Sequence, residues 1–263
     1  MNALDRRLEA ALRITQAAGQ MALRRQPPPG AAIADLKGHQ DWLTEADGAV
    51  EAFIDQALRE AFPEDGFQGE ETGRGRDGAL RWVVDPIDGT SNFARGSTRF
   101  CVSLGLIEQR TPLLGVIEAP ALGETFAARQ GGGATLNGKP IRAAATTELA
   151  RGMVECGWSP RRPNESFFAL TRAVMGQGAM LRAGGSGALG LVDVAAGRID
   201  AYLELHINLW DVAAALAILT EAGAEVSAFL EGDGLVAGNP IFAAAPGIAA
   251  ALRAAVIGPM GAV

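Results

Sequence analysis

Acidic residues with an unusual spacing surround one apolar segment of the chain, WVVDPIDGTSNF at 82–93. Asp85 and Asp88 are three residues apart there, and the proline between them stiffens the backbone. Two other acidic motifs lie far away in sequence, GEET at 69–72 and LWD at 209–211. Carboxylates are common ligands of magnesium, which binds and polarises phosphate esters. The set therefore predicts a site in which several magnesium ions hold a phosphate ester.

The backbone after Asp88 favours the same chemistry. Gly89 and Thr90 offer N–H groups at the predicted start of a helix, where anions bind. Helix capping is an alternative explanation for Asp88 and Asp211, because both stand where helices are predicted to begin. For Glu70, in a predicted loop, the alternative is plain solvent exposure. Carboxylates gathered in space repel one another unless cations neutralise them, so a cation site explains the whole set.

The size and charge of the chain limit the functions open to it. With 263 residues, 48% of them hydrophobic, it is long enough for one large domain or two small ones. The net charge of −7 comes without a run of lysine and arginine, which argues against nucleic-acid binding through a basic patch. An acidic protein also repels a phosphorylated substrate, so a phosphatase function requires cations that reverse the local field.

The cysteines and the N-terminus indicate the compartment. Cys101 and Cys156 lie in apolar stretches without metal-ligand spacing, as expected for buried thiols in a reducing environment. The first residues, MNALDRRLEAAL, lack the apolar core of a signal peptide, and no stretch reaches the roughly 18 apolar residues of a membrane span. We therefore expect a soluble, cytoplasmic protein that does not enter a membrane.

Hydrophobic periodicity predicts an α+β half followed by an α/β half. In the first half, helices are predicted over 3–25 and 45–61, and strands over 81–85, 99–108, 112–118 and 123–129. In the second half, strands are predicted over 153–158, 180–183 and 200–205, and helices over 164–175, 187–197, 211–223 and 246–257. Thr44 and Asp47 have the spacing of a capping box, Asn164 is the predicted cap of its helix, and Asn137-Gly138 predicts a hairpin turn.

The same pattern predicts a boundary between two subdomains near 140–150, where the sequence is irregular. An N-terminal α+β subdomain, 1–145, then carries the first acidic motifs. A C-terminal α/β subdomain, 146–263, carries a glycine-rich loop and the Trp210-Asp211 pair. No long linker separates the two, so we expect them to share one core.

Taken together, the motifs resemble those of the inositol monophosphatase family, which are magnesium-dependent, lithium-sensitive phosphatases. The matching segments cover almost the whole chain: Lys37, DWLTEAD at 41–47, GEE at 69–71, DPIDGTSNF at 85–93, and Trp210-Asp211 before AAALAILTEAG. The resemblance implies a layered α-β-α-β-α sandwich, usually a homodimer. It also implies hydrolysis of a small phosphorylated polyol, myo-inositol 1-phosphate above all, by water activated by two or three Mg²⁺ ions.

The resemblance further implies a role for each motif residue. The metal ligands implied are Glu70, Asp85, the main-chain carbonyl of Ile87, Asp88 and Asp211. Gly89 and Thr90 are similar to the residues that cradle the phosphate. Asp47 and Thr90, with Glu70, are similar to the groups that orient and activate the attacking water. Lys37 is similar to a lysine near the outer metal position.

On the substrate side, the resemblance implies that Gly185, Ser186 and Gly187 face the ring of the substrate. Glu204 matches a glutamate that receives a sugar hydroxyl, which favours a polyol over a nucleotide. Four residues depart from the usual family pattern and are candidates for altered selectivity: Arg95, Arg99, His206 and Asn208. Fructose 1,6-bisphosphate, histidinol phosphate and 3′-phosphoadenosine 5′-phosphate are alternative substrates for the same metal core.

Two functions of other kinds also have some basis in the sequence. GSGALG at 185–190 satisfies the glycine pattern of a dinucleotide-binding turn, with Glu204 as the acid that would bind a ribose. This alternative leaves the acidic motifs unexplained. A regulatory protein-binding role on the same fold is the second alternative, although every implied ligand position is filled.

Overall fold

The computed structural model describes residues 2–31, 36–38, 41–42 and 45–261. The helices are α1 (Ala3–Arg25), α2 (Glu45–Ala61), α3 (Thr90–Phe93), α4 (Asn164–Gly176), α5 (Gly187–Ala195), α6 (Leu209–Glu221) and α7 (Pro246–Met260). A 3-10 turn spans Leu149–Arg151. The first ten strands are β1 (Leu36–Gly38), β2 (Asp41–Trp42), β3 (Gly66–Gly69), β4 (Gly73–Arg76), β5 (Leu80–Asp88), β6 (Cys101–Glu108), β7 (Thr111–Ala119), β8 (Glu124–Arg129), β9 (Ala134–Leu136) and β10 (Lys139–Pro140). The later strands are β11 (Met153–Gly157), β12 (Met180–Arg182), β13 (Ala201–Ile207), β14 (Glu225–Val226) and β15 (Asn239–Ala244).

Apart from the small ribbon of β1 and β2, these strands form two sheets. The larger sheet has eight strands in the order β10-β9-β8-β7-β6-β5-β3-β4, mostly antiparallel, with β3 and β5 parallel. The smaller sheet has five strands in the order β12-β11-β13-β15-β14, in which β11 runs parallel to both of its neighbours. The antiparallel meander predicted for the first half and the strand-helix alternation predicted for the second are both present.

Helices separate and cover the two sheets. Helices α1 and α2 pack on one face of the larger sheet, and α5 and α6 pack on its other face. Helix α5 also contacts the smaller sheet, whose outer face is covered by α4 and α7. The order of layers is therefore α-β-α-β-α, which confirms the predicted fold class. One apolar cluster joins residues of both halves of the chain through α5 and α6.

The central helix α6 shows why the sequence folds this way. It is apolar almost all round, as expected for a helix buried between two sheets. Gly105 on β6 and Gly115 on β7 lie directly beneath it, and a Cβ at either position would overlap the backbone of the helix at Ala213 or Ala214. Two strand glycines therefore let the helix approach the sheet at backbone distance.

The predicted helices agree closely with the observed ones, and the differences lie mainly at the ends. The prediction that Asn164 caps its helix is wrong: Pro163 is the cap, and the Asn164 side chain accepts a hydrogen bond from Trp158 Nε1 at 2.8 Å. The hairpin turn is confirmed, since Asn137 and Gly138 both have positive φ, 50° and 74°. The strands outside the predicted set are β1, β2, β3, β4, β9, β10, β14 and β15. In the described ranges, no helix has both the length and the apolar character needed to cross a membrane.

Candidate active site

Three of the predicted aspartates meet at one point. Asp85 and Asp88 lie at the end of β5, and Asp211 lies in the first turn of α6. Each offers a carboxylate oxygen, and these three oxygens lie within 4.8 Å of one another. The structure thus brings together residues that are far apart in sequence.

A β-bulge aims two of these side chains at the same place. Asp85 pairs with Ser103 and Asp88 with Cys101, so three steps along β5 oppose only two along β6. Without the extra residue, side chains three positions apart would point to opposite faces of the sheet. A local hydrogen bond stabilises the turn between the two aspartates, since Asp85 Oδ1 accepts from the Ile87 N–H at 2.9 Å.

Asp88 is held by the start of α5. Its carboxylate accepts hydrogen bonds from the Ser186 hydroxyl, from the N–H of Gly187 at 3.2 Å and from the N–H of Ala188 at 2.9 Å. Capping of the following helix by Asp88 is therefore the wrong explanation, since α3 is preceded by Gly89 and Asp88 binds the N-terminus of a helix far along the chain. A carboxylate at a helix N-terminus is favoured by the free N–H groups there.

The same contacts overturn the dinucleotide alternative. GSGALG at 185–190 does follow a strand and open a helix. However, the N–H groups of Gly187 and Ala188, where a pyrophosphate would bind, already donate to Asp88. Glu204, the proposed ribose ligand, is buried and accepts a hydrogen bond from the Tyr202 hydroxyl at 2.6 Å.

Asp211 has a structural contact as well as a place in the cluster. It is the third residue of α6, and Asn208 is the cap. Asp211 Oδ2 accepts from the Asn208 N–H at 2.9 Å, which is one half of a capping box. The prediction that Asp211 itself caps the helix is wrong by three positions, and the capping contact leaves its other oxygen facing the cluster.

Burial and mutual repulsion destabilise the charged forms of these aspartates. Burial, followed by the charges of Glu70, Asp88 and Asp211, raises the pKa of Asp85 well above its usual value. Burial also raises the pKa of Asp88, although its hydrogen bonds oppose the shift. The pKa of Asp211 is raised to about 7 by burial and by the charge of Asp88. Crowded carboxylate oxygens with these properties fit a hard divalent cation, which would offset both effects.

Glu70 approaches the cluster from a loop that a buried glutamate holds in place. Glu51 on α2, only 1% exposed, accepts from the N–H groups of Glu71 and Thr72, each at 2.9 Å. At Gly69 a Cβ would overlap the Glu51 carboxylate, so the loop needs glycine there. Sequence reasoning missed Glu51, although it lies one helical turn after Asp47 and on the same face of α2.

The cluster opens into a cavity of about 790 Å³. Most of the predicted site residues line it: Glu70, Asp88, Gly89, Thr90, Gly185, Ser186, Gly187, Glu204 and Asp211. Asp85 and Ile87 are buried beneath its floor, and the Ile87 carbonyl accepts from the Thr90 hydroxyl at 3.0 Å. Asp47 is buried in the first turn of α2 and does not line the cavity. The side chain of Lys37 lies outside the described residues, as does Thr44.

Gly89 requires glycine for two reasons. Its φ is 85°, in the left-handed region. A Cβ there would lie 2.9 Å from the Arg99 carbonyl oxygen and 3.1 Å from Ser186 Cβ. The backbone N–H groups at the start of α3 therefore stay open to the cavity.

The glycine-rich loop at 184–187 is fixed from two sides. Asn92 Nδ2 donates to the carbonyls of Gly184 at 2.9 Å and Gly185 at 3.2 Å. The Ser186 hydroxyl donates to Asp88, and its oxygen accepts from the Leu189 N–H at 3.3 Å. The hydroxyl at this position thus supports the acidic cluster.

Arg99 is committed to a network beneath this loop, which we call the Glu155 network: Arg99, Glu155, Arg182 and Asp193. Glu155 accepts from Arg99 Nη2 at 3.1 Å, from Arg182 Nε at 2.6 Å and from the Gly184 N–H at 3.0 Å. Both arginines also pair with Asp193. Neither Arg99 nor Arg95 lines the cavity, so neither of these two departures from the family pattern has a direct role there.

The lining of the cavity also includes Glu204, which is buried. Burial raises its pKa to about 8, although the Tyr202 hydrogen bond and the charge of Arg161 oppose the shift. His206 and Asn208, the other two departures from the family pattern, also line the cavity. Trp158 and Arg161, from the connection between β11 and α4, line it too and were missed in the sequence.

The layered fold and the acidic cleft are those of a phosphoric monoester hydrolase. The enzymes of this fold family depend on metal ions. The chain belongs to the inositol monophosphatase family, whose sequence model matches residues 3–258.

Individual relatives agree with this assignment. The chain is 40% identical over 199 residues to the Nus factor SuhB of Xylella fastidiosa, covering 75% of this chain and 72% of the relative. It is 38% identical over 216 residues to the inositol-1-monophosphatase of Mesorhizobium japonicum, covering 78% and 81%. Among solved structures, the inositol monophosphatase of Anabaena superimposes with a TM-score of 0.85, at 32% identity and full coverage of both chains. The suhB protein of Bartonella henselae gives 0.84 at 31% identity, covering 94% and 97%.

Proposed function

We propose that this phosphatase is magnesium-dependent and hydrolyses myo-inositol 1-phosphate to inositol and phosphate. One observation carries the proposal: the buried Asp85 and Asp88 and the half-buried Asp211 meet at one point, beside a cavity whose lining also includes the buried Glu204. The first feature suits a cation that binds phosphate, and the second suits the hydroxyl of a polyol. The relatives named inositol-1-monophosphatase support the same substrate.

The magnesium ligands we propose are Glu70, Asp85, the carbonyl of Ile87, Asp88 and Asp211. The fit is supported by the crowded carboxylate oxygens, which are hard donors held in place by hydrogen bonds. Two or three bound Mg²⁺ ions would neutralise the phosphoryl group and make water a stronger nucleophile.

The chain's own groups divide the remaining work. The N–H groups of Gly89 and Thr90 bind the phosphoryl oxygens at the start of α3. Thr90, whose hydroxyl donates to the Ile87 carbonyl, would orient the attacking water together with Asp47 and Glu70. Lys37 is the residue we propose near the outer cation. Hydrogen bonds from Ser186 and two backbone amides keep Asp88 from rotating away. A preorganised site of this kind lowers the barrier because nothing has to rearrange during the reaction.

On the leaving-group side we place Gly185, Ser186, Gly187 and Glu204, all of which line the cavity. The Tyr202 hydroxyl donates a hydrogen bond to Oε2 of Glu204. This contact fixes the orientation of the other carboxyl oxygen. A buried carboxyl group with one oxygen already bound suits a hydroxyl, because an uncompensated polar group there would be costly.

The test is phosphate release from myo-inositol 1-phosphate with and without millimolar magnesium, with lithium as an inhibitor. Fructose 1,6-bisphosphate, histidinol phosphate and 3′-phosphoadenosine 5′-phosphate are assayed beside it. Magnesium-dependent, lithium-sensitive turnover that is fastest on the inositol ester is the expected result. Faster turnover of another ester would overturn the substrate and leave the cation site standing.

A regulatory role through a protein partner is a second candidate, favoured by the relatives named Nus factor SuhB. The regulatory role can be tested separately from catalysis in cells that lack the gene for this protein. Rescue of their phenotype by the Asp88→Asn variant would support a regulatory role, and rescue by the wild-type chain alone would refute it.

Three further expectations belong to this proposal: a homodimer, a cytoplasmic location, and a division into subdomains 1–145 and 146–263. Light scattering coupled to gel filtration checks the first, and cell fractionation the second. For the third, limited proteolysis is expected to cut first between residues 140 and 150.

A further inference from the structure

Arg161 is the only lysine or arginine among the described residues that line the cavity. It lies in the connection between β11 and α4 and is exposed. The other charged side chains of the lining are acidic: Glu70, Asp88, Glu204 and Asp211. Among the described residues, the lining therefore carries one positive side chain, and its charge acts on both Glu204 and Asp211.

In the described part of the chain, the Arg161 guanidinium forms no ion pair within 4.0 Å, although its charge reaches Glu204 and Asp211. Arg161 and Glu204 line the same cavity, so a gap of more than 4.0 Å separates the guanidinium from the Glu204 carboxyl. On the other side of that gap, Glu204 is fixed by Tyr202.

A gap between a planar donor and an acceptor suits neighbouring hydroxyl groups. One hydroxyl donates to the free oxygen of Glu204, and the next accepts from the guanidinium, which offers five N–H donors in a fixed fork. We propose that Arg161 and Glu204 form a clamp that binds two adjacent hydroxyls of the leaving group. This inference rests on the proposed function and makes it more specific: the substrate is a phosphate monoester of a vicinal polyol.

A different assignment for Arg161 would be the recognition of a second anionic group on the substrate, as in a bisphosphate. The lining of the cavity argues against it, because among the described residues it offers a second anion a single positive side chain, with no other lysine or arginine beside it. The test below distinguishes the two assignments.

The experiment compares Arg161→Ala with Arg162→Ala, a matched control. Arg162 is the next residue of the same connection, is exposed and does not line the cavity. Each variant is assayed on myo-inositol 1-phosphate, on fructose 1,6-bisphosphate and on p-nitrophenyl phosphate, whose leaving group has no hydroxyl donor beside the ester.

We expect Arg161→Ala to raise KM for the inositol ester about tenfold, which corresponds to about 1.4 kcal/mol, with kcat nearly unchanged. Turnover of p-nitrophenyl phosphate is expected to stay within about twofold of wild type, and Arg162→Ala to match wild type throughout. Arg161→Lys is expected to recover only part of the loss, because an ammonium lacks the planar fork.

Three outcomes would overturn the clamp. Equal losses on the inositol and p-nitrophenyl esters would mean that Arg161 acts on the phosphate end or on the fold. A selective loss on the bisphosphate would assign it to a second anion. Unchanged KM on a wild type that does hydrolyse the inositol ester would leave the proposed function intact and reject the clamp alone. A wild type inactive on every ester would instead reject the proposed function.

The double variant Arg161→Ala, Glu204→Gln adds an independent check. If both side chains bind the same diol, the second substitution has less left to disrupt once the first has been made. The rise in KM of the double variant is therefore expected to be smaller than the product of the two single rises. A fully multiplicative effect would show that the two side chains act on different parts of the substrate.

Discussion

Replacement of Glu155 by glutamine tests how firmly the glycine-rich loop is held. Glu155 is 1% exposed and is bound by two arginines and by the Gly184 N–H. Glutamine keeps the shape and one acceptor oxygen but removes the charge that both arginines face. The change therefore isolates the electrostatic part of the Glu155 network.

The magnitude follows from the burial of each partner. Breaking a fully buried ion pair costs about 3–5 kcal/mol. Here Arg99 and Arg182 are 24% and 31% exposed, and both keep Asp193 as a partner. We therefore expect a loss of about 2–3 kcal/mol in the free energy of unfolding. For a chain of this size, that is a fall in Tm of roughly 5–10 °C.

The assay is thermal unfolding followed by circular dichroism, with Glu231→Gln as the matched control. Glu231 pairs with Arg110 at 3.0 Å, but the two side chains are 65% and 49% exposed, so this pair contributes about 0–1 kcal/mol. KM for the substrate is expected to rise in the Glu155 variant, because its loop forms one wall of the cavity. Equal Tm values for the two variants would refute the reasoning.

Three other perturbations have defined outcomes. Asp88→Asn is expected to abolish turnover and leave the circular dichroism spectrum unchanged; near-normal turnover at saturating magnesium would contradict its place in the cation site. Gly115→Ala is expected to lower the unfolding free energy by more than about 2 kcal/mol, because its Cβ would overlap the backbone of α6. Gly176→Ala, with open space around its Cβ, is the control and should not destabilise in the same denaturant titration. Finally, Glu204 has a usual pKa of 4.5 that the fold raises to about 8, so the folded state binds the extra proton between these values. Without magnesium, stability should therefore fall as the pH rises from about 4.5 to about 8, and a Tm that rises over this window would contradict the assignment.

The parts of the fold that the sequence predicts are those with strong local patterns. Apolar periodicity predicts the long helices, and the run WVV before Asp85 predicts β5, although this strand continues three residues past the predicted end, to Asp88. Strands β3 and β4 escaped prediction because they are four residues each, GFQG and GRGR, and lack apolar alternation. β3 forms because β5 provides a hydrogen-bonding edge, and β4 pairs with β3 in turn, so both depend on the sheet and not on the segment alone.

The residues of the candidate site also differ in how well the sequence predicts them. The aspartates were predictable because their motifs are specific and each lies at the end of an element. The contact between Ser186 and Asp88 was not, because it depends on where α5 crosses the larger sheet. Glu51 and Glu155 were missed for a related reason: a glutamate in a helix or strand has no local feature that tells a buried hydrogen-bond acceptor from a solvated charge.

The central position of α6 has a consequence for the chain during its synthesis. The larger sheet is complete in sequence at the end of β10, yet one of its faces is covered only by α5 and α6, which are made later. Because a ribosome releases the N-terminal part first, this face and the aspartates of β5 are exposed for an interval without their partners. A chain that stops before Leu209 would therefore be more than inactive. It would carry an uncovered apolar sheet, and we expect it to aggregate or to be held by chaperones until translation supplies α6 and, with it, Asp211.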